Sequence, residues 1–115
     1  RWLFFAAGPV EAAVTARALG LLAPADKRAM AGYGSYEDVM RTLEHACRQA
    51  LDRGGTLCGQ FSAADLYLGW GLRFKSIEAR PLFEQYSAPL LARPACARAG
   101  ALDDALAQRL QNQAG

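Results

Sequence analysis

The sequence predicts an all-α domain, and three observations carry that expectation. One Ile, three Val and three Thr stand against abundant Ala and Leu, a balance that favours helix over sheet. Tyr36, Val39, Met40, Leu43, Cys47, Ala50 and Leu51 recur at helical spacing, with Glu37, Arg41, Glu44 and Arg48 on the other side. Ser62-Ala-Ala-Asp65 stands before an apolar run, as a helix-capping box does. At 115 residues, 52 % of them hydrophobic and 21 % charged, the chain has the size and composition of one domain with one core, 1–115.

The elements follow in order. Trp2, Phe5, Ala6, Pro9, Ala13 and Ala16 share one face of a helix running to about Leu19. Pro9 cannot donate to the carbonyl of Phe5, so that helix should kink there. The kink either bends the helix around its own core or opens the wall of a binding cleft, and Gly8 beside it would let another group approach the backbone. Gly20 ends the helix and Pro24 bars its return. From Asp26 the pattern is read as one long helix, bent or briefly interrupted near Gly32 and Gly34. Glu37/Arg41 and Glu44/Arg48 are i,i+4 pairs in the favourable order.

After the 52–56 loop, the Ser62–Asp65 box opens a helix from Ala63 to about Phe74 that is apolar on nearly every side. It reads as a central buried helix. Phe61 and Leu66 hold the two positions of a hydrophobic staple. A buried helix start must satisfy its orphan amides internally, so Asp65 is assigned to the helix start, where caps contribute about 0.5–2 kcal/mol. A further helix spans about Pro81 to Ala92. Pro94 suits the first turn of the next. Leu102, Leu106 and Leu110 stripe a last helix that should fray over "QNQAG".

The same residues exclude much chemistry. Net charge is +2 with the basic residues scattered, which gives no face for nucleic acid. Cys47, Cys58 and Cys96 form no C-x-x-C pair, which fits a reducing, cytoplasmic setting and no disulfide framework. His45 is the one histidine, so neither a metal site nor a Ser/His/Asp triad can be assembled. There is no phosphate-cradling glycine loop. No stretch reaches the ~18 apolar residues of a membrane span. The chain opens inside an apolar periodic segment without Met, and reads as part of something longer.

"GQFSAADLYLGWGLRF" at 59–74 resembles the opening of the central helix in the C-terminal domain of cytosolic glutathione S-transferases. "RWLFFAAGPVEAA" resembles the first helix of that domain in bacterial members, and "LLARPACARA" the helix–Arg-Pro–helix turn near its end. Together the three stretches span almost the whole chain in the family's order. The resemblance implies a helical bundle with a buried, capped central helix, lacking the thioredoxin-like N-terminal domain that binds glutathione and activates its thiol. The fragment would then have no catalytic residue, no tightly bound cofactor and no activity alone. It would form the hydrophobic wall for a small apolar electrophile, with glutathione as co-substrate of a homodimeric parent protein. By position, Phe4, Phe5, Gly8, Pro9 and Glu11 would face that substrate, with Phe74 on the same wall. Phe4 and Glu11 stand where the bacterial beta class carries an amide and a histidine. The same helical domain also serves non-enzymatic proteins as a docking module, and fold alone does not separate the two.

Overall fold

Periodic apolar residues do form helices throughout, and the computed structural model describes residues 1–72 and 77–115. The chain begins with α1 (Trp2–Phe5), a π-helical turn (Ala6–Val10) and α2 (Glu11–Ala18), which continue one another as a single rod. A 3₁₀ turn spans Ala25–Met30. Then come α3 (Tyr36–Asp52), α4 (Ala63–Gly71), α5 (Pro81–Leu91) and α6 (Pro94–Ala114). No strand occurs among the described residues.

Pro9 is accommodated by widening one turn. The Glu11 amide reaches back five residues to the carbonyl of Ala6, spanning the position where Pro9 offers no donor. The extra residue in that turn delays the register beyond it. Val10, Ala13 and Val14 are therefore buried, while Ala16, expected on the core face, is only half-buried. At the rod's end Gly20, at φ +70°, closes a Schellman motif: the Leu21 amide donates to Ala16 at 2.7 Å and the Gly20 amide to Arg17 at 3.1 Å.

The expected long helix from Asp26 is two separate elements. The chain turns sharply through 31–35, and Ser35 starts α3 afresh by accepting from the Asp38 amide at 3.1 Å. The α3 stripe is as expected, with Val39, Met40, Leu43, Cys47 and Ala50 buried and Ala46 added to them. The i,i+4 pairs give way to contacts of longer range. Arg80, just before α5, draws both glutamates to itself, Glu37 and Glu44 each at 3.2 Å, and also bonds Glu78. Arg41 bonds Asp38. Ser35 and then Arg41 hold the exposed Asp38 carboxyl below its ordinary pKa. Arg17 extends the belt, donating to the Tyr36 hydroxyl at 2.5 Å and to Glu78 at 3.4 Å, so it ties the first rod to α3 and to the chain leading into α5.

The capping box closes as expected, but Asp65 is more than a cap. Its carboxylate is wholly buried and takes four hydrogen bonds. The Ser62 amide and hydroxyl donate to Oδ2 at 3.0 and 3.1 Å. The Leu57 amide and the Tyr86 hydroxyl donate to Oδ1, both at 2.8 Å. One side chain thus fixes the start of α4, the preceding loop and the middle of α5. Burial first, then the Asp65 carboxylate, push the Tyr86 phenol well above its usual pKa. Burial likewise pushes the Cys47 thiol up to about 12, with Glu44 adding to it.

The central helix is buried on one face only, which corrects the expectation. Ala64, Asp65, Leu68 and Gly69 are buried, whereas Leu66, Tyr67 and Trp70 are exposed. On the buried side α4 and α5 approach so closely that a Cβ on Gly69 would lie 2.9 Å from Leu90 Cδ1. At the far end α6 runs unbroken to Ala114, without the expected fraying. Among the described residues it meets α5 alone of the elements, and it buries no residue.

Two expectations follow. Asp65→Ala strands two buried donors and a helix start, so it should cost about 3–5 kcal/mol in urea denaturation. Tyr86→Phe should cost about 1–3 kcal/mol, and the double variant clearly less than the sum, because both act through one hydrogen bond. Strict additivity would show that the Asp65–Tyr86 contact carries no energy. The second concerns alkali. Cys47 and Tyr86 have folded pKa values raised above their unfolded ones, so their contribution is fully present below about pH 9 and is lost as pH climbs from there towards 12. Unfolding midpoints should fall through that window, with a shallower fall in Cys47→Ala.

Candidate functional site

The π turn decides which residues of the first rod look towards α4. It puts Ala6, Val10 and Val14 opposite Tyr67, Leu68, Trp70 and Gly71, with Ile77 closing the end. Between them lies a partly open, mainly apolar cleft of about 230 Å³. Two polar side chains line it from α2, Glu11 and Thr15. The Tyr67 hydroxyl donates to Oε1 of Glu11, so a hydrogen bond joins the two walls at the cleft's polar side. Trp70 is half exposed at this cleft. Among the described residues the cleft offers shape, apolar surface and one carboxylate.

The residues singled out in the sequence separate on the structure. Glu11 lines the cleft. Phe5 is half-buried and packs on the core, edge-on to Trp2 with ring centres 5.9 Å apart. Phe4 projects into solvent, 83 % exposed, away from the cleft lining. Pro9 is half-buried within the π turn. Gly8 is exposed, and among the described residues nothing from another part of the fold lies within 4 Å of where its Cβ would be. Phe74 lies outside the described residues.

Tyr67, Trp70, Val10 and Val14 were not picked out from the sequence. The α4 pattern is apolar on too many sides to name a face, and the π turn moved the rod's face by one position. The pair "DLY", with an aromatic hydroxyl just after the capping acid, was the one available signal.

A second cavity of about 270 Å³ opens where α4 starts against the corner between α5 and α6. Phe61 and Leu66, the two staple positions, both line it and both remain exposed. Arg93 lies over the Phe61 ring at 3.7 Å, a cation–π contact that ties the α5–α6 corner to the capping loop. Trp70, Cys96 and Asp103 also line this cavity, and Asp65 touches its floor. Among the described residues no cluster could hold a metal ion. Nor is any helix there long and apolar enough to cross a membrane.

The chain matches no family model, no curated protein and no solved structure.

Proposed function

We propose that this chain is the helical half of a glutathione S-transferase-like protein whose first helix and α4 form the wall for an apolar electrophile. The observation that carries the reading is the cleft itself. It lies between the rod containing "FFAAGPVEAA" and the helix opened by "FSAAD", two of the stretches on which the family resemblance rests. Its lining is mainly apolar, as a pocket for a hydrophobic second substrate requires. The exposed face of α4 fits a domain whose natural neighbour is a second body, the thioredoxin-like domain of the same parent chain. In that arrangement the neighbour binds glutathione and activates its thiol, and the thiolate attacks the electrophile held here. This chain's part is to position the electrophile and keep water from it. The parent is then a bacterial, cytoplasmic homodimer, and the chain alone is inactive.

A second reading has its own observation. Leu102, Leu106 and Leu110 stripe α6 and are 72 %, 55 % and 57 % exposed on a helix with no buried residue. Such a stripe suits a docking module of the same fold, and exposed apolar surface of this kind commonly marks a contact site.

Tryptophan emission separates the two readings. In a Trp2→Phe background Trp70 reports on the cleft, and S-hexylglutathione should quench it saturably through its apolar tail. Glutathione itself should give no response. Thr15→Trp, which fills the cleft mouth, should remove binding as measured by calorimetry. If calorimetry and emission both find no saturable binding of S-hexylglutathione or 1-chloro-2,4-dinitrobenzene, the substrate-wall reading fails.

A further inference from the structure

We infer that the cleft between the first rod and α4 selects small apolar ligands that carry a positive charge, arylalkyl or alkyl ammonium compounds, over neutral and anionic ones. The inference rests on the reading that this cleft takes an apolar compound, and adds the charge that compound carries. Glu11 is the one carboxylate lining the cleft among the described residues. Its carboxylate accepts from Tyr67 through Oε1. Among the described residues no donor is found for Oε2, which can therefore accept from a ligand N–H.

Among the described residues no cationic side chain lines the cleft. Arg17, two turns along the same rod from Glu11, is directed to Tyr36 and Glu78 and does not line the cleft. A cation whose ammonium meets Glu11 would lay its apolar body along Val10, Val14 and Leu68. An anion would bring a second negative charge to Glu11 between low-dielectric walls. The volume of about 230 Å³ sets the size, since pockets for drug-sized molecules begin near ~300 Å³. A single ring with a short ammonium arm is the appropriate scale.

The test uses three probes of one shape on the full chain: 2-phenylethylammonium, 2-phenylethanol and 3-phenylpropionate, followed by calorimetry at pH 7. The ammonium should bind about three- to fivefold tighter than the alcohol at low salt, the size of effect that a half-exposed ion pair gives. The carboxylate should bind weakest. The preference should shrink when salt is raised from about 20 to 300 mM, because the pair is partly screened. Glu11→Gln, confirmed folded by circular dichroism, should bring the ammonium down to the affinity that the same variant shows for the alcohol. Thr15→Trp should remove binding of both. Equal binding of ammonium and alcohol by the natural sequence overturns the inference while leaving the apolar cleft standing. So does a preference that survives Glu11→Gln, or ammonium binding that survives Thr15→Trp. No binding by any probe ends the inference and the cleft reading together.

Discussion

A carboxylate with no accessible surface, surrounded by donors instead of a cation, is the constraint around which the domain is arranged. Burying an ion is costly unless every lone pair is met, and Asp65 meets that demand with two amides and two hydroxyls. The partial positive charge of the α4 N-terminus lies on the same side and favours the negative charge further. The four donors come from three points in the fold: the capping residue, a loop five residues earlier and the middle of α5. The carboxylate therefore specifies geometry as well as stability. Together these bonds set where α4 starts and how it is held against α5.

The cleft depends on that direction. One wall is fixed by the Asp65 anchor and by the close Gly69–Leu90 approach of α4 to α5. The other wall is fixed by a backbone device, the widened turn at Pro9, and by Arg17 bridging from the rod to Tyr36 and Glu78. Asp65, Gly69, Leu90, Pro9 and Arg17 all lie outside the cleft lining, whereas Ala6 and Val10 of the widened turn are part of it. The Glu11–Tyr67 contact is the polar link made across the cleft itself.

What the sequence revealed divides along range. The α3 stripe, the capping box and the proline starts of α5 and α6 were legible because their signals lie within one or two helical turns. The π turn was not, since a proline inside an apolar pattern fits a kink and a widened turn equally well. The pairing of Glu37 and Glu44 with Arg80, instead of Arg41 and Arg48, is set by where α5 begins, 36 to 43 residues further on. Tyr86 as a partner of Asp65 was hidden for the same reason. The sidedness of α4 could not be read because its exposed residues are as apolar as its buried ones. In the candidate site, Glu11 was found, whereas Tyr67 and Trp70 were seen only as members of a buried run.

The lone attachment of α6 has a consequence for how the domain opens. A helix that buries nothing and meets only α5 shares little of the cooperative energy held around Asp65. Its amides would exchange with solvent through local opening, far below the free energy that releases the Leu57 amide or the first turn of α4. The domain is then two cooperative units of unequal strength, a tightly coupled bundle ending at Arg93 and a helical arm whose order is set by whatever it touches. Such an arm can gain or lose a contact while the four bonds to Asp65, none of which comes from it, stay in place.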